Sequence, residues 1–186
     1  MKRILSLLLI LTLAIAAVGC ATQPKDPQPD PAPKKDYTAI LTEARNKEDN
    51  DYMEVIGKDE DGKLTLTHNP MEVDKESFQG TIDMTFEMMG LDAEMMEDMA
   101  ISSSLMNISA YSIAIVKPAE GKEEAVRKAL EGYVELQQKS FENYLPNQYE
   151  VTKAAKVETM KTGEIVLVMA EDAENILGSI RQALEK

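Results

Sequence analysis

The chain has 186 residues and a formal net charge of −13 at pH 7, with 20 Lys and Arg against 33 Asp and Glu. That acidic excess disfavours nucleic acid and anionic lipid surfaces as partners and suits a well-solvated protein or a cationic ligand. A single cysteine excludes an internal disulfide, and the absence of Trp argues against a sugar-stacking or large aromatic-lined pocket.

Met1-Lys2-Arg3 is a short cationic start, followed by an apolar run from Ile4 to Val18. These are the n-region and h-region of a secretory signal. As a helix the run of about 15 residues reaches roughly 22 Å, against about 30 Å of bilayer hydrocarbon, which is too short for a comfortable permanent span. Ala17-Val18-Gly19-Cys20 places small residues before a thiol and resembles the lipobox cut by lipoprotein signal peptidase. By that resemblance residues 1–19 are a lipoprotein signal peptide, and Cys20 becomes the lipidated first residue on the extracytoplasmic face of the cell membrane. The mature chain then has 167 residues and a charge of −15, because Lys2 and Arg3 are lost. The alternative, an ordinary signal peptide with a coincidental cysteine, leaves an unpaired thiol on an exported protein. Residues 20–36 carry prolines at 24, 27, 29, 31 and 33. They cannot build a core and read as an extended, disordered tether. Lipid supplies about 0.8 kcal/mol per buried methylene, so anchoring through Cys20 requires no protein span.

Residues 37–186 read as a single α+β domain, with an irregular N-terminal part over 37–80 and a core over 85–186. Asp36 is positioned to cap a helix from Tyr37 to about Lys47. From Glu48 to Thr81 charges, Asp59-Glu60-Asp61-Gly62 and Pro70 predict loops with at most one hairpin, whose clearest strand is Leu64-Thr65-Leu66-Thr67. Ile82 to Met89 fits a strand or a short helix. Asp92 is expected to cap a short helix running through Met99.

The second half is better patterned. Ala110 to Val116 is apolar on both faces, as in a strand buried on two sides. Glu120 to Tyr144 repeats Val126, Leu130, Tyr133, Gln137, Phe141 and Tyr144 at helical spacing, and Pro146 stops that helix. Lys161-Thr162-Gly163 predicts a hairpin between Ala154–Met160 and Glu164–Ala170. Asp172 opens a last helix with Ile176, Leu177, Ile180 and Leu184 on its buried stripe. Mixed strands and helices of these lengths predict a small antiparallel sheet with helices packed on one face.

No catalytic or cofactor signature survives inspection. Gly57 to Leu64 fits G-x-x-x-x-G-K but ends in Leu where a phosphate loop needs a hydroxyl, and Asp59, Glu60 and Asp61 would repel phosphates. Tried as a calcium loop, the stretch has Gly57 at the first ligand position and His68 at the twelfth. His68 is the sole histidine, so no zinc site of His and Cys type can form once Cys20 carries lipid. Ser102-Ser103-Ser104 reads as strand or turn surface. Met84, Met88, Met89, Met95, Met96 and Met99 form the least ordinary feature. Thioethers are soft ligands for Cu(I), and Met95, Met96 and Met99 are the candidate donors; methionine also fills irregular cores.

Phe141-Glu142-Asn143-Tyr144-Leu145-Pro146-Asn147-Gln148-Tyr149, with Ala110 to Lys117 upstream and Val166-Leu167-Val168 downstream, resembles a family of short lipoproteins from low-GC Gram-positive bacteria catalogued as domain of unknown function 4358. The resemblance covers roughly residues 85–185. Leu145-Pro146-x-Gln148-Tyr149 is its most specific part, and its tyrosines are expected to cap the core. It implies a secreted lipoprotein and carries over no catalytic residue. The expectation is therefore a non-enzymatic protein- or ligand-binding module held to the membrane through Cys20, with no nucleic-acid partner. The alternative is a copper-handling lipoprotein.

Overall fold

The computed structural model describes residues 34–186; the signal peptide, Cys20 and the tether as far as Pro33 lie outside the described residues. Six strands, β1 (Val55–Lys58), β2 (Leu64–His68), β3 (Met96–Ser103), β4 (Ser112–Pro118), β5 (Lys156–Thr159) and β6 (Ile165–Met169), form one antiparallel sheet in the order β2-β1-β3-β4-β6-β5. Six α-helices accompany it: α1 (Tyr37–Ala44), α2 (Lys47–Tyr52), α3 (Gln79–Met89), α4 (Glu123–Phe141), α5 (Pro146–Ala154) and α6 (Ala173–Leu184).

Strands β4 and β6 determine the layering. They pair Ile113 with Val168 and Ile115 with Val166, and both are apolar at odd and even positions. Because side chains alternate across a strand, each face of the pair is greasy and each needs a cover. Ile113, Ile115, Val166 and Val168 pack with Tyr37 and Leu41 of α1 and Ile176, Leu177 and Ile180 of α6. Ala114, Val116, Ile165, Leu167 and Met169 pack with Ile82, Phe86 and Met89 of α3 and Val126, Leu130 and Tyr133 of α4. The α+β class and antiparallel sheet are as expected, but the helices cover both faces rather than one. The two-sided apolarity of Ala110–Val116 already demands this.

Local differences have local causes. Asp36 does cap α1, accepting from the Ala39 amide at 2.9 Å. The helix nevertheless stops at Ala44, and Asn46 caps the separate α2, which sequence reading missed. Residues 37–80 are thus not irregular: they supply two helices, the β1-β2 hairpin around Asp59–Gly62 and the start of α3. Over 82–89 the helix wins, closed by Gly90 with φ 65°, a left-handed conformation that favours glycine. Asp92 caps only a single 3-10 turn, Ala93–Met95, and β3 begins at Met96 instead of a helix reaching Met99. α4 stops at Phe141, short of the expected Tyr144, and Pro146 occupies the first position of α5, where its missing N–H costs nothing. The Lys161–Gly163 turn is as predicted, with Gly163 at φ 94°.

Leu167, fully buried on the central strand, sets a stability test. Leu167→Ala should cost about 2–5 kcal/mol in urea unfolding, whereas Leu136→Ala, at an exposed position of α4, should stay within about 0.5 kcal/mol.

Candidate functional site

The sheet leaves β2 as an edge strand, paired only with β1. Beside it α3 approaches, and between them lies an open groove of about 430 Å³ lined by Asp59, Lys63, Leu64, Thr65, Lys75, Glu76, Gln79 and Ile82. Leu64 and Ile82 give it an apolar floor. Lys63, Lys75, Asp59 and Glu76 give its walls both signs of charge. Asp59 is committed to the hairpin, accepting from the Asp61 and Lys63 amides at 3.0 and 2.8 Å. The two lysines and Glu76 are the charges left to face a ligand. An edge strand beside a helix can accept an extended peptide through backbone hydrogen bonds, with the floor taking a side chain.

Two buried polar nodes hold the N-terminal elements in place. At one end of the sheet Glu164 is almost fully buried. It accepts hydrogen bonds from Tyr37 Oη at 2.9 Å, Lys35 Nζ at 3.4 Å and the Thr162 hydroxyl. Burial pushes its carboxyl up, but the Thr162, backbone and Tyr37 hydrogen bonds and the Lys35 charge prevail and hold it below the usual carboxylate range. Burial and the same pairing push the Tyr37 phenol well above its ordinary value. Lys35 Nζ also donates to the Leu184 carbonyl at 2.5 Å, at the C-terminus of α6, where a cation suits the helix dipole.

At the opposite end Arg45 is only 5% exposed. Its guanidinium donates to Asn50 Oδ1 at 2.6 Å, Ser102 Oγ at 2.7 Å, Tyr111 Oη at 3.2 Å and the Met53 carbonyl at 2.8 Å. All four acceptors are neutral, so the fork acts as a bracket between the α1-α2 corner and strand β3 rather than as half of an ion pair. Asp49 lies in the same region. Its carboxyl is raised by burial and by the neighbouring carboxylates of Glu48 and Glu171, against the pull of Arg45.

The other sequence candidates are dispersed. Ser102 is inside, bonded to Arg45, not on the surface as expected, and Ser103 Oγ shares a hydrogen bond of 3.1 Å with Tyr133 Oη. His68 Nε2 contacts the Asn50 carbonyl at 2.9 Å. Of the methionines, Met89, Met96 and Met99 belong to the core beneath α3 and α4, Met88 and Met95 pack against it, and Met84 is exposed. A register shift between Met96 and Asp98 puts Met96 and Met99, three residues apart, on one face of the sheet. Met95 and Met99 do not share a helix: Met95 closes the 3-10 turn and Met99 lies in β3. Among the described residues no cluster of His, Cys, Asp or Glu is arranged to hold a metal.

In the Tyr144–Tyr149 stretch the tyrosines do not cap the core: Tyr144 is 56% exposed, and Tyr149 carries Lys153 Nζ 5.0 Å above its ring. Gln148 is the structural member, its Oε1 accepting from the Ala110 amide at 2.8 Å. Sequence reading missed Arg45, Glu164 and the role of Gln148. A lone Glu opening the wholly apolar run Ile165–Met169 was the one available signal.

A six-stranded antiparallel sheet sandwiched between helices, with an open groove and no assembled catalytic constellation among the described residues, defines a compact α/β/α domain. Residues 69–185 match the family described as domain of unknown function (DUF4358), and the chain belongs to it. No curated protein matches the chain, and no solved structure does. The match takes in α3 through α6 and omits α1, α2, β1 and β2.

Glu164 yields a pH prediction. A carboxyl depressed by folding contributes stability that is fully present above its unfolded value and is lost as pH falls through its lower folded value. The stability difference between wild type and Glu164→Gln should therefore be constant above about pH 5 and shrink on further acidification. Urea melts of both proteins across pH 3–7 check this. Arg45→Ala, which strands buried acceptors on Ser102, Tyr111 and Met53, should cost about 2–4 kcal/mol in the same assay.

Proposed function

We propose that the protein is a lipid-anchored, extracytoplasmic, non-enzymatic binding module, and that its ligand site is the groove between β2 and α3. The anchor reading is supported by Ala17-Val18-Gly19-Cys20, the short apolar run before it and the proline-rich segment after it. Among the described residues no helix is long and apolar enough to cross a membrane. The groove carries the binding reading, because it joins an unpaired sheet edge to an apolar floor and charges of both signs. That chemistry suits an extended peptide, whose backbone pairs with β2 while one apolar side chain rests on Leu64 and Ile82.

Two measurements test this. Intact mass analysis of the membrane-extracted protein should find diacylglycerol-modified Cys20 as the first residue, and Cys20→Ser should release the chain from the membrane. An unmodified thiol at Cys20 contradicts the anchor. For the groove, a peptide library screened against the soluble Cys20→Ser protein by NMR should shift the amides of Leu64, Thr65, Gln79 and Ile82. The same spectra during Cu(I) titration decide the rival reading, since metal handling would move the Met95, Met96 and Met99 methyls.

A further inference from the structure

The sheet has a second free edge, at β5, on the side away from the groove. β5 pairs only with β6, and among the described residues nothing hydrogen-bonds the Lys156–Thr159 backbone on its outer side. Amides and carbonyls left open in this way pair with another strand unless the edge is blunted. Here charges guard it. Lys156 and Glu158 lie two apart and so share one face of the strand, while Val157 points to the other and packs partly buried against the core. Two residues of α6 hold the charges in place: Lys156 Nζ pairs with Glu174 at 2.8 Å, and Arg181 donates to Glu158 at 2.6 Å. The Lys156 and Glu158 side chains remain 37% and 43% exposed, and each keeps unused hydrogen-bonding capacity.

The order of these charges is its own complement. Two copies meeting edge to edge about a two-fold axis at Val157 run antiparallel, so that position 156 of one lies across from position 158 of the other. Lys156 then faces Glu158 of the partner subunit, and Glu158 faces the partner's Lys156. Opposite charges directly across a strand pair stabilise it, and on the other face Val157 meets the partner's Val157. A foreign strand would need a carboxylate and a cation at the same two places. The acidic excess of the chain opposes self-association in general, but not here: within Glu150–Thr159 two carboxylates accompany two lysines, and all four are ion-paired. We infer that the protein forms a two-fold dimer through β5, which joins two six-stranded sheets into one. β2 and its groove stay free at both outer ends. The dimer rests neither on the groove as a ligand site nor on the Cys20 anchor.

Native mass spectrometry of the full chain, isolated as cells make it, should show a dimer and no larger species, because pairing uses up the β5 edge. Raising the concentration should slow hydrogen exchange in the segment 155–159 and leave 64–68 on β2 unchanged. Lys156→Glu turns both cross-edge pairs into like-charge contacts and should weaken the dimer at least about tenfold, and Glu158→Lys should do the same. Mixed in equal amounts, the two variants should dimerise again with each other, since their substituted strands carry opposite charges. A purely structural role of Lys156 and Glu158 predicts no such recovery. A monomer at every concentration, open-ended oligomers, protection at 64–68 instead of 155–159, or single variants that stay fully dimeric overturns the proposal. So does a mixture that stays monomeric while each variant melts like the wild type. If either variant melts early, the exchange measurement on the wild type decides.

Discussion

The pairing of β4 with β6 is the constraint on which the rest of the structure depends. Ile113–Val116 and Ile165–Met169 are apolar at every position, so the two strands form a sheet that water must leave on both sides. Each face needs its own helical layer. The amphipathic stripe of α6, Ile176, Leu177, Ile180 and Leu184, fits one face, and that of α4, Val126, Leu130, Tyr133, Gln137 and Phe141, belongs to the other. Neither helix alone is wide enough to close its layer; α1 completes the first and α3 the second.

That division makes the N-terminal elements integral to the fold even though the family match begins at residue 69. Leu41 and Tyr37 of α1 lie in the core, and β1 extends the sheet beyond β3. Polar contacts then fix their position more sharply than apolar burial could. Arg45 requires four acceptors arranged around one planar group, and Glu164 requires donors from Tyr37, Lys35 and Thr162. Directional bonds of this kind specify a register, whereas apolar contacts tolerate sliding. The two nodes sit at opposite ends of α1, so that helix is pinned at both ends.

Much of this was legible in the residues. The helical repeat from Val126 to Phe141, the Gly163 turn and the two-sided β4 and β6 all follow from periodicity and turn chemistry, and each is found where the pattern places it. Met96–Ser103 was not legible, because a bulge breaks its alternation and puts two methionines three apart on the same face. The second helix after Asn46 is short and buries nothing, leaving no stripe to read. The groove was invisible for a different reason: its lining comes from the 59–65 hairpin and the 75–82 segment, which only the tertiary fold brings together. Buried arginines and carboxylates likewise look like surface charges in a sequence, since their partners lie up to 129 residues away.

The anchor proposed at Cys20 implies that the end of the sheet where Lys34 and Lys35 bond faces the membrane and that the Ser104–Ser109 loop faces away from it. Lys161 and Met106 are exposed at opposite ends of the sheet. The most direct measurement is the bilayer depth of spin labels placed singly at these two positions in the lipidated protein reconstituted in vesicles. The account predicts that the label at 161 lies nearer the lipid and is broadened by a lipid-bound relaxer, while the label at 106 is not. Equal depths, or a label at 106 nearer the bilayer, would contradict it.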